Sequence, residues 1–178
     1  MATPIKDARA GRAAGPDAIS LLINENHTLC RLFDRYRQSD SDDEKTLIAE
    51  RACLLLMIRA AVEQEIFYPA AQWVLEDSEM IEDAVLVHEV TRDLITQLQE
   101  DDLRLDQRDA LFEVLSECVD QQITDEESGL FKRMRQTGLS LDDLALQMLS
   151  RKAALELEFG FAEERDQEST VAASVQAH

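Results

Sequence analysis

An all-α fold, an antiparallel up-and-down four-helix bundle with an extra C-terminal helix, is what this chain of 178 residues predicts. Three observations predict it. Gly and Pro number only 5 and 3, while Ala, Leu, Glu, Asp, Gln and Arg dominate, a bias toward helix over strand. Apolar residues recur at helical spacing over four long stretches. Short polar turns join those stretches, the sequence form of helices that run back and forth beside one another.

The elements follow in order. Residues 1–16, rich in Ala, Gly and basic side chains, read as a flexible arm, and residues 17–160 as the bundle. Pro16 and Asp17 make a helix start. Leu22, Leu29, Phe33 and Tyr36 then share one face, with Ile23, His27 and Cys30 beside them. The cluster from Ser39 to Glu44 breaks the periodicity and offers N-caps for a second helix. That helix carries Ile48, Ala52, Leu55, Arg59, Val62 and Ile66 on one stripe, with Glu63 adjoining. Pro69 is expected to bend or interrupt it near Tyr68. After the Glu76–Glu79 break, a third helix reads Ile81, Ala84, His88, Thr91, Ile95 and Leu98. A fourth reads Leu111, Leu115, Cys118, Gln122, Glu126 and Leu130, and stops at Gly138 with Lys132, Arg133 and Arg135 in its last turn. Ser140 caps a shorter fifth helix from Leu141 to Phe159, and residues 161–178 read as a disordered tail.

The length suits one domain with a sizeable core. A formal net charge of −19 argues against nucleic acid or an anionic membrane as partner, since both repel such a field. No apolar run follows Met1 and none is long enough to cross a membrane, so neither a signal peptide nor a span is expected. Cys30, Cys53 and Cys118 form no CxxC pair and read as reduced thiols of a cytoplasmic protein, packed as small hydrophobes.

Polar side chains interrupt the apolar stripes at His27, at Arg59 with Glu63, at His88, and at Gln122 with Glu126. A charged or polar group facing a core must be paired or bound to something. A spacing of four residues stacks two side chains on one helix face, so a His-x-x-x-Glu pair can grip one metal with imidazole and carboxylate. Such donors suit iron, zinc or manganese. His27, Glu63, His88 and Glu126 are therefore the candidate metal ligands. Arg59 and Gln122 occupy the remaining positions, and both are poor ligands; a guanidinium has no lone pair to give.

The runs Asn26-His27, Glu63-Gln64-Glu65-Ile66-Phe67-Tyr68-Pro69-Ala70, Val87-His88-Glu89, Asp125-Glu126-Glu127-Ser128-Gly129-Leu130-Phe131 and Ser150-Arg151-Lys152-Ala153 resemble the hemerythrin-like, or HHE cation-binding, domain family. The resemblance extends from Asp17 to Leu155 and implies a four-helix bundle around a di-iron centre that meets oxygen, nitric oxide, peroxide or iron itself. It implies a histidine on helix one, a His-x-x-x-Glu on helix two, a histidine on helix three and a His-x-x-x-Glu on helix four. His27, Glu63, His88 and Glu126 match that pattern. The first member of each His-x-x-x-Glu pair is replaced, by Arg59 and by Gln122.

Two functions stay open on this reading. In the first, Arg59 pairs with Glu63, Glu126 or both, Gln122 bonds Glu126 or His88, and the di-iron site is degenerate. Metal binding is then weak or absent, and the protein regulates or senses through a protein partner. In the second, His27, Glu63, His88 and Glu126 hold iron, mononuclear or as a weakened pair, that meets a small diatomic ligand. An enzyme is not expected: no phosphate-binding loop or nucleophile elbow appears, and no proton donor stands beside the candidate ligands. Glu25, Glu65, Glu89 and Glu127 read as surface or rim residues. Tyr68 and Trp73 are either pocket-lining or core filler, and Cys30 and Cys118 fall within a turn of the candidate cavity.

Overall fold

Side-chain caps start the helices where the polar turns put them. The computed structural model describes residues 15–75, 79–100 and 102–160. Apart from Gly15 and Pro16, the expected arm and tail lie outside the described residues. The Asp17 carboxylate accepts the Ser20 N–H at 2.8 Å and opens α1 (Ala18–Gln38). Ser41 does the same for α2 (Asp42–Val62), through the Glu44 N–H at 3.3 Å. Helix α2 runs without a break into a π-helical turn, π1 (Glu63–Phe67), and then α3 (Tyr68–Leu75). Then come α4 (Glu79–Leu98) and α5 (Leu105–Asp125), and α5 continues through a second π turn, π2 (Glu126–Leu130), into α6 (Phe131–Met134). Ser140 caps α7 (Leu141–Glu158), and Gly160, at φ 74°, takes the left-handed conformation just beyond its end.

The bend expected at Pro69 takes the form of π1. The Tyr68 N–H reaches back five residues to the Glu63 carbonyl, widening the helix just before the ring that would otherwise press on the preceding turn. The second π turn has no proline. There the Phe131 N–H bonds the Glu126 carbonyl. Both wide turns begin at a glutamate that the sequence marks as a candidate ligand.

Helices α1, α2, α4 and α5 form the bundle, and α7 lies along α1, α2 and π1 as the predicted fifth helix. Two apolar clusters fill the interior. One gathers Leu22, Ile58, Val62, Phe67, Ala84, Leu130, Met134 and, from α7, Leu144, Met148 and Leu155. The other gathers Leu29, Phe33, Leu56, Ile95, Phe112, Leu115 and Ile123. Along α1, α4 and π2, buried Asn26, His88 and Glu126 fall between members of the first cluster and members of the second. Among the described residues, no helix is long and apolar enough to cross a membrane.

Candidate functional site

The polar layer between the two clusters is built by four limbs of the bundle. Asn26 comes from α1, Arg59 and Glu63 from α2 and π1, His88 from α4, and Gln122 and Glu126 from α5 and π2. All six are buried; Glu63 and Asn26 are 0% exposed, and Gln122, the most open, 7%. The pairs Arg59/Glu63 and Gln122/Glu126 sit one turn apart, so each helix presents both members inward.

Arg59 organises the layer. Its Nε donates to Glu63 Oε1 at 2.9 Å, its Nη2 to Glu126 Oε2 at 2.6 Å, and its Nη1 to Asn26 Oδ1 at 2.5 Å. One planar guanidinium thus ties three helical limbs together through charge-assisted bonds. Asn26 passes the connection outward, donating from Nδ2 to Glu127 Oε1 at 2.8 Å. The Tyr68 hydroxyl donates to the other Glu126 oxygen at 2.6 Å.

A single ring nitrogen is contested on the far side of the layer. His88 Nε2 lies 2.8 Å from Gln122 Nε2 and 3.0 Å from Glu63 Oε2. It can accept from the amide or donate to the carboxylate, but not both. With the amide donating, the ring is neutral and Glu63 Oε2 is close without a directed hydrogen bond. Glu63 Oε2, His88 Nδ1 and Thr91 Oγ1 are indeed buried without a hydrogen-bond partner. Such groups cost free energy, so this side of the layer is under-satisfied relative to the Arg59 side.

The two carboxylates that share Arg59 differ in acidity. Burial would raise Glu63, but the charge of Arg59 and the approach of His88 hold it below the ordinary carboxyl value. Glu126 goes the other way: burial, then the charge of Glu63, outweigh Arg59 and push it up to about 7. Burial and both glutamates push the Tyr68 hydroxyl far above its ordinary range, so it stays a donor. Desolvation opposes the charge on Arg59, yet the two glutamates more than restore it.

The structure therefore brings Arg59, Glu63, His88, Gln122 and Glu126 together, as the stripes imply. It does not bring His27. The expectation that His27 faces inward is corrected: His27 is exposed, and its neighbour Asn26 takes the inward position. The physical reason is register. Asn26 stands four residues after Leu22 and three before Leu29, squarely on the buried stripe, and His27 is rotated from it by about 100°. That spacing was the available signal for Asn26.

Tyr68, read as core filler or pocket wall, is a member of the layer through its hydroxyl. Trp73 is neither, being 84% exposed. Cys30 turns its sulfur to Asp120 Oδ1 at 3.7 Å, and Cys53 packs in the second apolar cluster. Glu65 pairs with Arg151 at 2.6 Å, and Glu25 with Lys152, bonds that tie α7 to π1 and α1.

The donor set does not fit a di-iron centre. Arg59 has no lone pair to give, Asn26 and Gln122 offer only neutral amide oxygens, and a permanent cation lies between the two carboxylates that would bridge metals. Among the described residues, no three His, Cys, Asp or Glu side chains are grouped to hold a metal ion. A model of the hemerythrin HHE cation-binding domain family matches residues 17–134. A search of the curated proteins and a search of the solved structures each found no match.

Proposed function

The chain belongs to the hemerythrin HHE cation-binding domain family, and we propose that in this member the family's cation is supplied from within, by the guanidinium of Arg59. The bundle then works as a metal-independent module with a regulatory or sensing role, acting on a protein partner through its surface and not as an enzyme. One observation carries the reading: Arg59 bonds Glu63 and Glu126 at once, at 2.9 and 2.6 Å, in the volume between the two carboxylates. A metal entering there would meet a fixed positive charge with both centres desolvated, which costs several kcal/mol. The net charge of −19 supports a protein rather than a nucleic-acid partner.

The test is anaerobic reconstitution with ferrous iron, read by elemental analysis and visible absorption. The wild type is expected to retain no stoichiometric iron, and the combined Asn26→His, Arg59→His, Gln122→His variant to take it up. Stoichiometric iron in the wild type overturns the proposal. The second reading, a non-haem iron protein that binds or senses oxygen, nitric oxide or iron, draws on the retention of Glu63, His88 and Glu126 in one buried layer. It requires Arg59 to leave its carboxylates, and it predicts that a chelator lowers the melting temperature by removing a ligand of the native state.

A further inference from the structure

We propose that the outer face of α7 docks a basic amphipathic helix of another protein. Leu146, Leu149, Ala153 and Leu157 follow one another three, four and four residues apart, a spacing that sets them along one stripe of the helix over about three turns. All four are exposed, Leu146 at 66% and Leu157 at 71%. The opposite face is apolar too: Leu144, Ala145, Met148 and Leu155 are buried in the first cluster, where α7 meets α1, α2 and π1. A helix that is apolar on two opposite faces is suited to lie between two bodies, and the bundle supplies only one.

Ion pairs fix which face looks out. Arg151 holds Glu65 of π1 with two bonds, at 2.6 and 2.9 Å, and Lys152 pairs with Glu25 of α1. These cations reach to opposite sides of α7, one to π1 and the other to α1. Rolling the helix to bury Leu146 and Leu157 would pull both from their partners. The leucine stripe is therefore a fixed surface of the folded chain.

Charge selects the occupant. Arg151 and Lys152 are the only cations of α7, and both are committed to the bundle. The charged residues left exposed on the helix are Asp142 and Asp143 before the stripe and Glu158 after it. A second copy of the chain fits this face badly. Packed antiparallel, two α7 helices bring the acidic start of each against the acidic end of the other; packed parallel, they bring like ends together. Each copy also carries a net charge of −19. A helix with apolar anchors on one face and lysine or arginine beside them satisfies both the stripe and its acidic ends.

This docking deepens the reading that the bundle acts on a protein partner through its surface, and rests on it. The probe is a labelled leucine–lysine peptide as long as α7, with its leucines on one helical face. It is titrated with the full chain at about 0.15 M salt and followed by fluorescence anisotropy. The control is a peptide of the same composition with its leucines scattered around the helix. Saturable binding of the amphipathic peptide, about tenfold or more tighter than the control, is the expected result. The combined Leu146→Glu, Leu157→Glu variant is expected to weaken it by about tenfold or more, although its added negative charge by itself would tighten a basic peptide. Equal binding of the two peptides, or binding undiminished in the variant, overturns the proposal. The peptide comparison uses the wild type alone and stands whether or not the variant folds. A wild-type dimer in sedimentation that the variant dissolves overturns the choice of occupant. Peptides that bind alike, with no iron taken up, remove this docking alone, whereas stoichiometric iron in the wild type removes the reading beneath it.

Discussion

Arg59 holds a permanent charge on a side chain whose three nitrogens meet three partners, Glu63, Asn26 and Glu126. Removing it strands two carboxylates in a dry interior. Arg59→Ala is expected to lower unfolding free energy by about 3–5 kcal/mol, read from urea denaturation. Arg59→Met combined with Glu63→Gln and Glu126→Gln is expected to recover much of that loss, since no buried charge is then left unpaired. The acidity of Glu126 predicts a pH effect whose sign can be worked out. Its folded value of about 7 lies above the ordinary 4.5, so the folded state binds the proton more tightly. This contribution is fully present below about 4.5 and is lost as pH rises through about 7. Glu63, held low, contributes in the opposite sense, above the ordinary value, and loses its contribution in acid. The urea midpoint of the wild type is therefore expected to fall between pH 5 and 7.5 more steeply than that of Glu126→Gln; parallel curves would remove Glu126 as the cause.

Helical period makes whole faces readable, and it is at the level of the element that the reading becomes less sharp. The stripe of α4, with His88 between Ala84 and Thr91, is buried as read. On α1 the inward polar residue is Asn26 and not His27, because Asn26 shares the face of Leu22 and Leu29 and the next residue is rotated from it by about 100°. The π turns were only half legible. Pro69 marks a disturbance beside π1 but not its form, and π2 has no proline; the extra residue in each is accommodated by a hydrogen bond five residues apart rather than by a special side chain. Element-level predictions are modest in size. Asp17→Ala removes the cap of α1 and the 3.1 Å pairing with Arg135, and is expected to cost about 1 kcal/mol of stability. Gly129→Ala sets a methyl against Met80 in π2; because the obstructing atom is the tip of a flexible chain, the cost by thermal denaturation is expected to stay within about 1–2 kcal/mol.

At the scale of the whole molecule, a net charge of −19 is spread over a bundle whose interior already carries ionised groups. Self-repulsion opposes compaction and is screened by salt. The melting temperature is expected to rise between about 20 and 300 mM sodium chloride, with most of the gain within the range where the screening length falls below about 10 Å; a melting temperature that falls would show that the surface ion pairs, such as Arg151–Glu65, outweigh the repulsion. The sequence by itself determined the all-α class, four amphipathic limbs with a fifth helix laid against them, and the meeting of Arg59, Glu63, His88, Gln122 and Glu126 in one interior. Those follow from a period of about 3.6 residues, which orients each side chain relative to its own helix axis. The tertiary structure alone decided that one guanidinium spans both carboxylates, that Tyr68 bonds Glu126, and that a cleft reaches Glu126 beside π2. These depend on how far each helix is rotated and slid against its neighbours, and that is set by close packing among all of them at once.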